Sequence, residues 1–441
     1  MLTRAAAPVR SLYVHVPFCA HKCNYCAFYS EASRGEIVQR YVRAVINELD
    51  LVAEDLQPET VFFGGGTPSL LNLKQWEEIL TAMERANLLG AAEWSIECNP
   101  ATVSADKAKL WRSYGVNRLS LGVQSLHEPL LERLGRIHSR HMVFKSFDIL
   151  RNSGFHNLNV DLMFAIPGQT PQVWRETLNE ALALQSQHLS CYEVIYEEDT
   201  PLYAQLQAGE FSVNEDLACV MYEELLERTA SCGLEQYEIA NFARNSRPMS
   251  EAGLQRQEES APRRQRSSLT RSMAANRRGS DSFQGVPASK ASCACETGGP
   301  SEAEDIPTFA CRHNINYWRG GSYYGLGPSA AGYVSGVRTQ NCANTLLYCE
   351  QLEQGKRAIN STEELSPLQR AGEIAAFGLR MNSGWLLSQF RQATGYDLCR
   401  DWAAEVDQLV AKGWARITPR RFYLTAKGLR FADAAAELLL R

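Results

Sequence analysis

Cys19, Cys23 and Cys26 fall within eight residues, in the run His15-Val-Pro-Phe-Cys-Ala-His-Lys-Cys-Asn-Tyr-Cys26. The spacing is Cys-x3-Cys-x2-Cys, directly after a short apolar segment. Thiolates ligate iron–sulfur clusters and zinc. A [4Fe–4S] cluster held by three thiolates leaves one iron without a protein ligand, and an open position is where a metal centre does chemistry. Zinc requires a fourth ligand, for which His15 or His21 stands near. A single free cysteine is often core. Three in a loop with Pro17, His21, Lys22 and Asn24 are hard to explain by packing.

Other reactive residues recur where an apolar segment gives way to a polar turn. Gly64-Gly-Gly-Thr-Pro68 follows the apolar run 60–63, and Glu97 ends the run 94–97. Gln124 follows 117–121, and Asp161 ends 157–161. Taken singly, each reads as a helix cap or a solvated charge; taken together, they read as one pocket.

The elements that must position them alternate. Strands are expected over 12–16, 60–63, 94–97, 117–121, 157–161 and 189–195. Helices are expected over 36–55, 73–88, 104–114, 129–134, 138–153 and 171–186, with Ile37, Tyr41, Val45, Leu49 and Val52 at helical spacing in the first. Such alternation predicts an α/β fold with a parallel sheet and crossover helices. Six units suggest a partial (β/α)6 barrel of the TIM type rather than a flat doubly wound sheet. Its chemistry then lies at the C-terminal ends of the strands, where the reactive residues fall.

The 441 residues are 45% hydrophobic and 22% charged, enough for two or three domains. A net charge of −5 argues against a general nucleic-acid binder. No apolar run is long enough for a transmembrane helix, and residues 1–10 lack the apolar core of a signal peptide. Thirteen cysteines without an export signal fit a cytoplasmic, reducing compartment.

Residues 245–307 differ from their surroundings. They are rich in Ser, Arg, Gln and Gly, with a basic stretch from Arg263 to Arg278 and few large apolar residues. This composition reads as a disordered, low-complexity insertion. Cys293 and Cys295 within it are weak metal candidates. The expected domains are thus 1–244 for the barrel, 245–307 for the insertion, 308–360 for a barrel-edge segment and 361–441 for a C-terminal unit. The last opens with Ser366-Pro367, a cap and a first-turn proline. Three helices and a small hairpin make it winged-helix-like, which does not by itself imply DNA binding.

The chain resembles the HemN/HemW branch of the radical S-adenosylmethionine (SAM) superfamily. The branch holds anaerobic coproporphyrinogen III oxidase and its heme-chaperone relatives. The segments that carry the resemblance are Tyr13-Val-His-Val-Pro-Phe-Cys19, Phe63-Gly-Gly-Gly-Thr-Pro68, Ile96-Glu-Cys-Asn-Pro100, Gly122-Val-Gln-Ser125, Leu134-Gly-Arg-Ile-His138, Asp161-Leu-Met-Phe-Ala-Ile-Pro-Gly168 and Tyr237-Glu-Ile-Ala-Asn-Phe242. By that resemblance the barrel is of the radical SAM kind, and Cys19, Cys23 and Cys26 bind a [4Fe–4S] cluster whose open iron chelates SAM. Tyr13, Gly65, Gly66, Thr67, Glu97, Gln124, Arg136 and Asp161 occupy SAM-contacting positions. Glycines there let the backbone approach the methionyl amine, and Arg136 suits a carboxylate. Tyr25 covers the adenine or the cluster edge, or else packs in the core.

Two features divide the branch. The oxidase type carries a cysteine two residues after the third, where this chain has Phe28. The chaperone type carries His-Asn-x-x-Tyr-Trp, matched by His313-Asn-Ile-Asn-Tyr317-Trp318. The resemblance implies heme binding at that motif, with His313 as axial ligand and Tyr317 and Trp318 against the macrocycle. Without it, His313 reads as a satisfied core histidine. Chaperone sequences tend to have a histidine where this chain has Ala331, which makes Cys311 the next candidate ligand. The expected function is a heme chaperone binding a cluster, SAM and heme, and passing heme to a heme-accepting protein such as a membrane-associated respiratory enzyme. The alternative is oxygen-independent oxidative decarboxylation of coproporphyrinogen III in porphyrin biosynthesis.

Overall fold

The computed structural model describes residues 7–32, 35–246 and 306–441. The basic stretch Arg263 to Arg278, Cys293 and Cys295 lie outside the described residues.

Six strands stand side by side in chain order, all parallel: β1 (Val9–Val16), β2 (Leu56–Gly65), β3 (Glu93–Cys98), β4 (Arg118–Gln124), β5 (Asn157–Phe164) and β6 (His188–Glu193). Crossover helices α1 (Gly35–Val52), α2 (Leu73–Arg85), α3 (Ala105–Ser113), α4 (Arg140–Asn152) and α5 (Pro171–Ala183) join them. Local signals set the helix starts. Ser104 accepts from the Lys107 amide, and Thr170 accepts from the Val173 amide ahead of Pro171.

The sheet is larger than the six expected strands. Helix α6 (Glu215–Ser231) leads into a hairpin of β7 (Leu234–Glu238) and β8 (Asn241–Arg244). Strand β8 adds antiparallel to β6. At the opposite edge β9 (Tyr324–Leu326) runs parallel to β1. The nine-stranded order runs from β9 through β1 to β6 and ends at β8 and β7, without closing into a barrel.

The two faces of the sheet differ in chemistry. Leu12, Val14, Val61, Phe63, Ile96, Leu119, Leu121, Val160 and Leu189 point outward and are buried under the helices in one core. Their neighbours along each strand point the other way and are polar: Ser11, Thr60, Glu93, Arg118, Asn159 and His188 are all buried. A closed hydrophobic barrel fills its interior with branched side chains; this open, curled sheet lines its concave face with hydrogen-bonding groups.

The concave face receives a short helix, α7 (Arg312–Trp318). His313 on this helix bonds Thr60 of β2, while the Cys311 amide at its start bonds the Tyr237 hydroxyl of β7, 3.1 Å away. Strands near opposite ends of the sheet reach one helix only if the sheet curls around it.

Beyond β9, strands Ala331–Val334, Val337–Asn341 and Ile359–Glu364 form a small antiparallel sheet. The C-terminal unit begins at α8 (Pro367–Gly378), whose start is closed by a capping box between Ser366 and Gln369. It has its own core, including Trp385, Phe390, Trp402 and Phe422. The expected hairpin gains a third strand, Trp385–Leu386, beside Arg421–Leu424 and Ala415–Ile417. No helix among the described residues is long and apolar enough to cross a membrane.

Candidate functional site at the C-terminal ends of the strands

The cysteine loop leaves β1 and is pinned from several sides. Phe18 and Cys19 pair with Glu31 and Ala32. The Asn24 amide donates to the Leu134 carbonyl at 2.9 Å, and the Asn24 side-chain amide donates to the Arg133 carbonyl at 2.9 Å. All three thiols are half-buried. Cys19 Sγ lies 3.5 Å from Thr67 Oγ1, and the Arg136 guanidinium lies 3.6 Å from Cys23 Sγ. Burial raises the Cys26 thiol, and its proximity to Cys23 and Cys19 adds to the effect. The thiols therefore sit close enough to repel one another once ionised, which a bound cation relieves.

Of the two histidines that stand near as a fourth zinc ligand, His15 has other partners. Among the described residues, no three His, Cys, Asp or Glu side chains converge on one point as ligands of a single ion must. His15 is already spent. Its Nε2 faces the Tyr29 carbonyl at 2.9 Å, which can only accept, so Nε2 carries the proton. Its Nδ1 therefore accepts the Tyr13 hydroxyl at 3.0 Å. A cubane cluster asks less convergence, because each thiolate binds a different iron. The donor set and the hydrogen-bonding groups around its sulfurs fit a cluster.

The glycine run beside the loop is required by the chain itself. The Gly66 amide donates to the Val16 carbonyl and the Thr67 amide to the Phe18 carbonyl, both at 2.8 Å. A Cβ on Gly66 would lie 2.7 Å from the Phe18 carbonyl oxygen, and one on Gly65 would lie 2.5 Å from the His15 ring. Gly65 also has φ +103°. The expectation that these glycines serve a ligand's close approach is thus incomplete, since strand packing alone demands them.

Glu97 and Asp161 flank the same opening. Glu97 Oε2 accepts from the Gly65 amide at 3.2 Å. Burial and then the negative charge of Asp161 push the Glu97 carboxyl up to about 8. Asp161 is also raised by burial, against the pull of Ser120 at 2.8 Å and Asn159 at 2.7 Å, which hold it in place. Both side chains are deep in the protein yet keep accessible surface. Tyr192, on the neighbouring strand β6, is 43% exposed. Both acids thus keep access to solvent on the concave face of the curled sheet, and once ionised they favour a ligand carrying positive charge. Gln124 at φ +65° and Ala165 at φ +57° hold left-handed backbone at neighbouring strand ends, strain of the kind found at binding sites. Tyr25 packs against the apolar cluster that contains Leu130, Leu134 and Met163, with the Arg136 charge near its hydroxyl.

His313 is not placed as a ready axial ligand. It is 1% exposed and stacked on Phe62 at 5.2 Å. Its Nδ1 lies 2.8 Å from Thr60 Oγ1 and its Nε2 lies 2.7 Å from the Tyr317 hydroxyl. Burial drives its pKa down to about 3, so the ring is neutral. Cys311 is no substitute. Its thiol is buried 3.5 Å from Glu93, and burial followed by that carboxylate pushes it up to about 12. The free thiol is therefore protonated at neutral pH. Trp318 lies under the Arg380 guanidinium at 4.8 Å, while Arg319 covers Trp385 at 4.6 Å and donates to the Gly384 carbonyl at 2.8 Å. This end of the motif docks the C-terminal unit. Ala331 is half-buried at the start of its strand, its carbonyl against Gly325.

Several residues of the concave face escaped the sequence reading: Glu93, Arg118, His188, Tyr192 and Tyr237. His188 bonds Asn159 at 2.7 Å and Tyr237 at 2.9 Å, extending the network from Asp161 to helix α7. The signal available was polarity at every second position of otherwise apolar strands.

Residues 13–181 match the model of the radical SAM superfamily, and residues 365–431 match that of the HemN C-terminal domain. A radical SAM domain implies a [4Fe–4S] cluster and SAM. The chain is 29% identical to the heme chaperone HemW of Bacillus subtilis (strain 168) over 426 residues, 95% of this chain and 96% of that one. It is 30% identical to the radical S-adenosyl methionine domain-containing protein 1, mitochondrial, of Danio rerio over 387 residues, 85% of this chain and 73% of the relative. The structure superposes on Escherichia coli coproporphyrinogen III oxidase, HemN, with a TM-score of 0.75 at 20% identity, covering 99% of this chain and 91% of that one. At that identity the match speaks for the fold.

Proposed function

Because the chain belongs to the HemN/HemW family of the radical SAM superfamily, we propose that it is a heme chaperone. It holds a [4Fe–4S] cluster on Cys19, Cys23 and Cys26, binds SAM at the C-terminal ends of the strands, takes heme at the motif of His313, Tyr317 and Trp318, and delivers it to a heme-accepting protein. A membrane-associated respiratory enzyme is the acceptor class, and the cytoplasm the compartment. The observation that carries the reading is correspondence along nearly the whole chain with HemW chaperones, combined with Phe28 where oxidases place a further cysteine.

When bound, the cluster and SAM supply one-electron cleavage of a sulfonium. The chain's own groups prepare that site. Thr67 stands against the Cys19 sulfur and Arg136 against the Cys23 sulfur, as hydrogen-bonding partners outside the ligand set. Glu97 and Asp161 offer hydrogen-bond acceptors to the ammonium or ribose hydroxyls, and a negative field as they ionise. Tyr13, Tyr25, Gly65, Gly66, Thr67 and Gln124 shape the remaining wall.

The test is a heme titration of the purified full-length chain, followed by transfer to an apo-heme protein and monitored by absorption. Saturable binding with transfer is expected. No saturable binding, together with SAM-dependent decarboxylation of coproporphyrinogen III, would replace the chaperone with the oxidase.

A further inference from the structure

His188 opens β6 and is 0% exposed. Its ring has a partner on each side. Nδ1 lies 2.7 Å from Asn159 Oδ1, and Nε2 lies 2.9 Å from the Tyr237 hydroxyl. The groups beyond decide which nitrogen carries the proton. The Asn159 amino group donates to Asp161 Oδ1 and to Ser120 Oγ, each at 2.7 Å. A carboxylate only accepts, and Ser120 spends its own proton on Asp161 Oδ2 at 2.8 Å. The amide is therefore fixed with its oxygen toward His188, and that oxygen only accepts. Nδ1 must then be the protonated nitrogen. Burial and then the Arg118 charge keep the ring neutral, so Nε2 holds a lone pair. It accepts the Tyr237 proton, and the Tyr237 oxygen accepts the Cys311 amide at 3.1 Å.

Every bond of this relay donates in one direction, from β7 through β6 and β5 to Asp161. The carboxylate at its end takes one bond on each oxygen. A carboxylate has about four acceptor sites, so roughly two remain for a ligand. Asp161 is half-buried and has surface on which to offer them. That suits the ammonium or ribose hydroxyls of SAM. Turned around, the Asn159 amide would set its oxygen against the carboxylate, and a buried network pays heavily for such a mismatch.

From this geometry we infer that His188 is a positioning residue of the SAM site: its Nδ1 proton locks the Asn159 amide, which holds the Asp161 carboxylate ready to accept from the ligand. The inference rests on SAM binding at the C-terminal ends of the strands and is independent of heme. Sealed from solvent, His188 acts only through Asn159.

The experiment reconstitutes the cluster in the full-length chain and titrates SAM anaerobically by calorimetry into the wild type, His188→Leu and His188→Asn. Circular dichroism melts and iron and sulfide analysis check that each variant keeps its fold and cluster. His188→Leu is expected to bind SAM roughly tenfold more weakly, whereas His188→Asn, whose amide nitrogen stands in for Nδ1, recovers most of that loss. Nitrogen-15 spectra of the histidine-labelled wild type should show a neutral ring protonated at Nδ1, in resonances absent from His188→Asn. A ring protonated at Nε2, wild-type affinity in His188→Leu, or equal losses in both variants would overturn the inference. Should His188→Leu fail to fold, the tautomer alone decides. No SAM binding by the folded, cluster-bearing wild type would instead remove the site on which the inference rests.

Discussion

The carboxylate of Glu93 caps the helix that carries His313. Its two oxygens accept from the backbone amides of Arg312 and His313, each at 3.0 Å. Cys311, the residue at the cap position, makes no side-chain cap of its own. A helix of seven residues buried against the concave face leaves its first amides without water or intrahelical partners, and a strand residue 220 positions away supplies the partner.

Glu93→Ala should therefore destabilise the protein by about 1–3 kcal/mol per buried amide left unpaired. In urea unfolding the midpoint should fall, and hydrogen exchange should rise in Arg312–Trp318. Exchange in that helix indistinguishable from wild type would show that Glu93 does not hold it.

Cys23→Ala should abolish the visible absorption of the anaerobically reconstituted protein, while Cys311→Ala should leave it unchanged. Iron and sulfide analysis reads both. Cys311 is a sealed, protonated thiol, whereas Cys23 faces the Arg136 guanidinium in the loop. Full iron and sulfide in Cys23→Ala would remove that loop as the cluster site.

Glu97 makes stability depend on pH. Its folded pKa of about 8 stands above the ordinary 4.5, so folding favours the neutral carboxyl. The stability this contributes is complete below pH 4.5 and is lost as pH rises through about 8. Thermal midpoints across that range should decline in the wild type and flatten in Glu97→Gln. A cationic ligand prefers the ionised form, so SAM should bind more tightly as pH rises through about 8. Parallel pH profiles for wild type and Glu97→Gln would refute the assignment.

Gly66→Ala should cost roughly 1–3 kcal/mol through overpacking, because the new methyl meets the Phe18 and Val16 carbonyl oxygens at 2.7 and 2.8 Å. The strain falls on the residues that carry Cys19. Cluster content after reconstitution should therefore drop together with the melting temperature, and a drop in neither would show that the loop yields.

Glu48 is 0% exposed and ties helix α1 to the segment that follows β9. It accepts from the Tyr348 hydroxyl at 2.7 Å, the Gly327 amide and Asn341 side chain at 2.9 Å, and the Arg357 guanidinium at 3.2 Å. Glu48→Ala leaves a buried cation unpaired and should cost about 3–5 kcal/mol. Calorimetry reads this directly; a loss below about 1 kcal/mol, typical of exposed pairs, would contradict it.

Much of this protein was legible in local sequence. Strand–helix alternation is written in side-chain periodicity, which each segment carries alone, so the six parallel strands were expected in their observed order. The three cysteines share one loop, Gln124 closes its strand and Glu97 stands one residue before the end of its own, whereas Asp161, expected at a strand end, lies inside a strand that continues to Phe164. Contiguous or strand-terminal positions need no tertiary information to be recognised.

The state of those residues was decided elsewhere. The resemblance implies a heme ligand at His313, the residue type alone reads as a satisfied core histidine, and in the fold the imidazole is sealed. Thr60, Ser11 and Tyr317 must surround His313 before its proton can be assigned, and these contacts span as many as 253 residues. The hairpin β7–β8 and strand β9 join sheet edges that no local pattern announces. Periodicity says which face of a strand is polar; only the curling of the sheet decides which polar groups meet, which protons they keep and which lone pairs remain.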